Sequence, residues 1–153
     1  CYIANDNSVG QVVISGATKS LEVFGNKLKE KKIKFVNLPV SAPFHCPLMK
    51  NATNEMQNKI QDTNFSDPII DIISNVTASP QNKSQEIKKL LTEQIEKPVR
   101  WRESVINMIN LGVNSFIEIG PGKVLSGLIK RIDRNVKLNQ VNKLEDLKVL
   151  TND

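Results

Sequence analysis

The 153-residue chain has one histidine, two cysteines, few aromatics (5%) and no long apolar run. Two cysteines, Cys1 and Cys46, cannot build a disulfide framework, and with a single histidine they cannot complete a convincing zinc site of Cys and His ligands. A reducing, cytoplasmic setting is the expectation that follows. No segment approaches the ~20 consecutive apolar residues of a membrane span. With 39% hydrophobic and 24% charged residues, a largely disordered chain is excluded as well. Sparse aromatics and the lack of a long basic run argue against a nucleic-acid interface. The first residue is Cys1 and no charged start leads into an apolar signal segment, so the chain reads as a piece of a longer polypeptide.

Lysine and arginine outnumber aspartate and glutamate by 21 to 16, for a net charge of +5. A moderate positive field suits acidic partners, including phosphorylated cofactors; a lysine-rich solvated surface explains it equally well. Gln11 to Gly16 is a β-branched run closed by glycine and predicts a strand. Leu21, Phe24 and Leu28 recur at helical spacing behind it. Ile33 to Val40 alternates as a strand does, despite Pro39. Residues 1 to about 41 thus predict strand, helix, strand, which is half of a small α+β layer.

Past Pro43 the pattern changes. Met49, Ala52, Met56 and Ile60 form one helical stripe, with Pro47 tolerable in the first turn. Pro68 to Ser74 resembles a strand buried on both faces. Ser84 is positioned to cap a helix whose buried side is Ile87, Leu90, Leu91 and Ile95. A further helix from Trp101 ends near Gly112. Ser115 to Ile119 predicts a strand that Gly120-Pro121-Gly122 turns into a helix carrying Val124, Leu125, Leu128, Ile129 and Ile132. A short strand and a last helix follow from Lys137. Alternating strands and helices indicate an α/β fold with a mostly parallel sheet.

Three places could carry chemistry. His45 lies in Ser41–Met49, between a predicted strand and a predicted helix, where α/β proteins keep reactive groups, although a lone histidine is commonly a packing residue. Gln94 faces the apolar stripe of its helix. Four residues on, Pro98 has no N–H, so the carbonyl of Gln94 lacks its ordinary helical donor. An imidazole N–H suits that carbonyl, and a histidine held in this way presents its other nitrogen as a proton acceptor; water or a neighbouring side chain could equally cap the helix end. Third, Gly120-Pro121-Gly122-Lys123 resembles a phosphate-cradling turn without matching a Walker motif or Gly-x-Gly-x-x-Gly, and a tight strand-to-helix turn accounts for it as well. No Gly-x-Ser-x-Gly elbow occurs, so a histidine base would lack a nucleophile; Cys46 adjoins His45, but neighbouring side chains seldom meet.

Four separated motifs, in order, are Ala4–Gly16 (ANDNSVGQVVISG), Val40–Met49 (VSAPFHCPLM), Gln94 with Pro98–Trp101 (PVRW), and Glu118–Leu125 (EIGPGKVL). Together they closely resemble the C-terminal half of malonyl-CoA:acyl carrier protein transacylases, over nearly the whole chain. The resemblance implies an α/β-hydrolase-like acyltransferase core, of which residues 42–153 are the C-terminal part. Residues 1–41 would be the latter part of a ferredoxin-like α+β subdomain.

It further implies a serine–histidine ping-pong reaction that moves malonyl from coenzyme A to the phosphopantetheine thiol of acyl carrier protein, in fatty acid synthesis. Both thioesters are substrates, and no metal or resident cofactor is implied. His45 stands at the family's catalytic histidine and Gln94 where a backbone carbonyl orients it. Asn5 and Asn7 match asparagines along the pantetheine arm, and Phe44 matches an aromatic wall that disfavours an α-methyl branch. The serine, the oxyanion-hole groups and the arginine for the malonyl carboxylate would lie in a missing N-terminal half, so this chain alone is expected to be inactive. Lys123, Lys130, Arg131 and Arg134 offer a basic face to acidic acyl carrier protein, or simply a solvated helix surface. A non-catalytic binding module for carrier protein or coenzyme A, and an acyltransferase domain of a larger synthase, are the alternative readings.

Overall fold

A computed structural model describes residues 1–150; residues 151–153, the end of the expected second unit, lie outside it. The chain opens on a β-hairpin, β1 (Tyr2–Ser8) antiparallel to β2 (Gln11–Ser15). Gly10 takes φ 76° in its turn, a conformation that costs glycine least. The register slips between Ile3 and Asn5 and again between Asp6 and Ser8, so β1 carries an extra residue at each place; such bulges bend a strand and re-aim its side chains. Helix α1 (Thr18–Glu30) follows, as its apolar spacing predicts. Then come a 3-10 turn (Pro47–Met49) leading into α2 (Lys50–Asp62), the two-residue strands β3 (Ile72–Ile73) and β4 (Pro80–Gln81), and helices α3 (Ser84–Gln94) and α4 (Trp101–Asn110). The chain finishes with β5 (Ser115–Ile119), α5 (Val124–Ile132), β6 (Lys137–Val141) and a 3-10 segment (Leu144–Leu150).

Two helix ends show how local chemistry sets boundaries. Beyond α4, Gly112 (φ 95°) donates its N–H to Ile109 and Val113 donates to Met108, the paired closure that satisfies the last carbonyls. At the start of α3 the expected Ser84 cap is replaced: Lys83 occupies the capping position with no side-chain cap. The Asp67 carboxylate instead accepts the Ser84 N–H at 2.7 Å and the Lys83 ammonium at 3.0 Å. A carboxylate brought from 17 residues away does what a local hydroxyl was expected to do.

Three sequence expectations about strands fail together. Residues 33–40 form no strand. The Phe35 ring packs over Gly25 of α1, while Ile33, Val36, Leu38 and Val40 stay exposed. In Pro68–Ser74 only Ile72–Ile73 pair, with Pro80–Gln81, and Ile69 and Ile70 face solvent. The described residues form three separate two-stranded sheets, of which only β5–β6 is parallel. Alternating or continuous apolar runs specify strands only where a neighbouring strand and a covering layer exist, and among the described residues segments 33–40 and 69–71 have no strand partner.

Surface area expresses the same deficit. The chain exposes 11040 Å², whereas a compact 17.1 kDa protein exposes about 7,800 Å². The buried apolar side chains are few, with Cys46, Leu90, Val105, Leu128 and Ile129 prominent among them. Ile117 and Ile119 of β5 and Val124 of α5 are left in solvent. No helix among the described residues is long and apolar enough to cross a membrane.

Candidate functional site

The loop before α2 is built around Cys46. Its side chain is fully buried, its thiol donates to the Pro43 carbonyl at 3.1 Å, and the Ser15 hydroxyl at the end of β2 donates to its sulfur at 3.8 Å. With Cys46 turned inward, the neighbouring residue turns outward. His45 adopts φ 58°, a left-handed backbone that costs a side-chain-bearing residue of order 1 kcal/mol and is typically held where surroundings require it. This arrangement disposes of Cys46 as a nucleophile for His45: the thiol is spent on the loop's own backbone.

His45 Nδ1 lies 2.9 Å from the backbone carbonyl oxygen of Gln94. The ladder of α3 continues to Lys97, whose N–H donates to Glu93 at 2.9 Å, and the next donor would have come from residue 98, which is proline. The carbonyl freed by Pro98 is therefore taken by the imidazole, as the sequence suggests. A carbonyl only accepts, so Nδ1 carries the hydrogen, and in the neutral imidazole Nε2 is the nitrogen with the free lone pair. The Gln94 side-chain amide donates to the Lys97 carbonyl at 3.0 Å. Its 3.5 Å approach to Nδ1 sets donor against donor in this tautomer and adds nothing.

The turn that displays this carbonyl is clamped on both sides. Val99 donates to Ala4 at 2.8 Å and accepts from the Asp6 N–H at 2.9 Å, while Arg100 donates from its backbone to Asn75 and from its guanidinium to Val76. Residue 99 thus adds a single parallel bridge to the outer edge of β1, opposite Asn5. A groove of about 360 Å³ opens between α2 and α3, walled by Phe44, His45, Met49, Met56, Leu91 and Ile95, and is almost wholly apolar apart from His45 and Gln94. Phe44, His45 and Gln94 are thus brought together. Asn5 and Asn7 are not walls of this groove; both lie half-buried on β1, and Asn7 sits at its second bulge.

The glycine turn after β5 is not an open anion site. Both oxygens of Glu118 occupy the N-terminus of α5, accepting from the N–H of Leu125 at 3.0 Å, the N–H of Ser126 at 2.8 Å and the Ser126 hydroxyl at 2.6 Å. Burial pushes the Glu118 carboxyl up, but these donors outweigh it and hold it below its usual range. A phosphate would have to displace a carboxylate already there. Gly122 is likewise engaged, donating its N–H to Asn142. Of the expected basic face, Lys130 and Arg131 lie on α5, where Arg131 bonds Gln11; Lys123 and Arg134 flank the helix rather than sharing it, and all four are exposed.

Two groups escaped the sequence reading. Asp6 and Arg102, 96 residues apart, form an ion pair, and Asp67 caps α3; neither has a local signal, because both pairings exist only across the fold.

No family model matches the chain. It is 41% identical over 148 residues to the malonyl CoA-acyl carrier protein transacylase of Bacillus subtilis (strain 168), covering 96% of this chain and 47% of that protein. Among solved structures it is similar to the acyl-carrier-protein-S-malonyltransferase of Bartonella henselae, with a TM-score of 0.92 and 43% identity over 99% of this chain and 50% of that one. A malonyl-transacylase solved in complex with its type II PKS acyl-carrier protein gives a TM-score of 0.92 at 36% identity, again over 99% and 50% of the two chains. The chain spans about half the length of the curated relatives it matches.

Proposed function

We propose, on the premise that this chain is homologous over nearly its whole length to about half of a malonyl CoA-acyl carrier protein transacylase, that it supplies the histidine base of such an enzyme. The observation that carries the reading is the 2.9 Å contact between His45 Nδ1 and the Gln94 carbonyl. It leaves Nε2 as a proton acceptor without a triad carboxylate.

In the reaction, Nε2 takes the proton of a serine hydroxyl from the remaining half of the enzyme as that oxygen attacks the thioester carbonyl of malonyl-CoA. The tetrahedral intermediate collapses, the carbon–sulfur bond breaks, and the proton on Nε2 passes to the departing coenzyme A thiolate. The phosphopantetheine thiol of acyl carrier protein then repeats the steps in reverse on the malonyl-serine ester. Gln94 acts through its backbone, fixing the tautomer and opposing rotation of the ring. Phe44 narrows the groove beside His45; a single methyl in such a pocket is worth ~1–3 kcal/mol, so selectivity against branched acyl groups is partial. Asn5 and Asn7 offer amide donors and acceptors to the peptide groups of the pantetheine arm.

The same reading assigns residues 42–153 to an α/β-hydrolase-like core and residues 1–41 to a ferredoxin-like subdomain. The excess apolar surface becomes the face that the nucleophile-bearing half covers. Acyl carrier protein as partner is supported by the related complex and by exposed Lys130 on α5, with exposed Lys123 and Arg134 just beyond its two ends. The enzyme would act in the cytoplasm without metal or resident cofactor, and this chain alone would be inactive. In the complete protein, His45→Ala should abolish formation of the malonyl-enzyme, read by intact mass after mixing with malonyl-CoA, while circular dichroism stays unchanged. Normal acylation of the variant would reject the role.

A further inference from the structure

The bulged part of β1 and the Gln94–Pro98 turn share one support. Arg102, in the first turn of α4, sets two guanidinium nitrogens on a single carboxylate oxygen of Asp6, Nε at 3.0 Å and Nη2 at 2.7 Å. Asp6 is the residue between Asn5 and Asn7, and its own N–H reaches the carbonyl of Val99, next to Pro98. One end of the 98–102 segment thus frees the carbonyl that orients His45, and the other end grips the strand that carries both asparagines. The pair is half-buried, with side-chain exposures of 27% for Asp6 and 42% for Arg102, and both partners already have backbone held by other bonds, so little ordering is needed to form it.

We propose that Asp6 and Arg102 are positioning residues. Their ion pair fixes the bulged strand, and with it Asn5 and Asn7, in register with the turn that orients His45, and so sets how tightly the pantetheine arm is held without touching the reacting atoms. The proposal rests on the transacylase reading above. An ion pair of this exposure predicts a modest effect on substrate binding: Asp6→Ala raises KM for malonyl-CoA about two- to fivefold and leaves kcat within about twofold. The selective signature is the substrate. A malonyl thioester of a simple short thiol, which lacks the pantetheine amides, has nothing for Asn5 and Asn7 to hold, and its KM stays unchanged.

The test is steady-state kinetics of the complete protein with both thioesters for Asp6→Ala, Asp6→Asn, Arg102→Gln, the conservative Arg102→Lys and the exchanged pair Asp6→Arg with Arg102→Asp, each alongside a melting curve. A rise confined to malonyl-CoA, smaller in Arg102→Lys and reversed in the exchanged pair, is the expected result. Unchanged KM for both substrates, or a loss common to both that follows the fall in Tm, overturns the proposal; because Asp6→Asn and Arg102→Gln keep size and polarity, poor folding of one variant does not remove the test. If the unsubstituted complete protein transfers no malonyl group, the transacylase reading falls and this proposal with it, whereas an active protein with indifferent variants overturns the ion pair alone.

Discussion

Replacing Pro98 by alanine restores one N–H at the point where the ladder of α3 stops. Lys97 already donates to Glu93, so an N–H at residue 98 is the next in sequence to seek the Gln94 carbonyl, where His45 Nδ1 now sits at 2.9 Å. A neutral hydrogen bond of this kind contributes about 0.5–1.5 kcal/mol net. If the new donor takes over the acceptor, the population of correctly oriented imidazole falls by about two- to tenfold, and on the proposed function kcat of the complete protein falls by the same factor. The substitution also relaxes the unfolded chain, a loss of roughly 0.4–1 kcal/mol that lowers Tm without touching the chemistry. Nitrogen-15 NMR of the histidine separates the two effects, since the Nδ1–H tautomer of His45 should lose occupancy in step with kcat. Undiminished kcat together with an undisturbed Nδ1–H signal would refute the claim that Pro98 keeps the carbonyl available.

Further outcomes follow from the caps and the open surface. The Asp67 carboxyl is lowered from 3.8 to about 2, first by the Ser84 N–H and then by Lys83; a depressed acid contributes stability that is present above pH ~4 and disappears as pH falls toward 2. Asp67→Asn should therefore flatten the dependence of Tm on pH over that window and leave it unaltered near pH 7; an unchanged acid limb contradicts the capping role. Because residues 1–153 expose far more surface than a compact protein of their mass, the isolated chain should bind a hydrophobic dye and self-associate in sedimentation, and the complete protein should do neither. A monodisperse, dye-silent isolated chain would mean that the exposed isoleucines need no cover.

Helices were legible in the sequence because their signal is local. The stripes in 18–30, 50–62, 84–94 and 101–110 need only one apolar face and suitable ends, and all four helices form. The acceptor that His45 meets was legible for a related reason: a missing N–H at Pro98 is a covalent fact, and it leaves the Gln94 carbonyl without its helical donor whatever packs nearby. Strands were read less well. Residues 33–40 and 68–74 have the composition of strands, but a strand exists only where another segment completes its hydrogen bonds, and among the described residues only Ile72–Ile73 find one.

By itself, then, the sequence determined where helices run, where their ladders stop, and that the Gln94 carbonyl is left without its helical donor; that the imidazole of His45 takes it, 49 residues away, was decided by the fold. Tertiary structure decided what composition cannot encode. It turned Cys46 inward and His45 outward, filled the N-terminus of α5 with Glu118 in place of a phosphate, brought Asp67 to α3, and joined Asp6 to Arg102 across 96 residues. Those pairings depend on distances between segments remote in sequence, which only the folded chain defines.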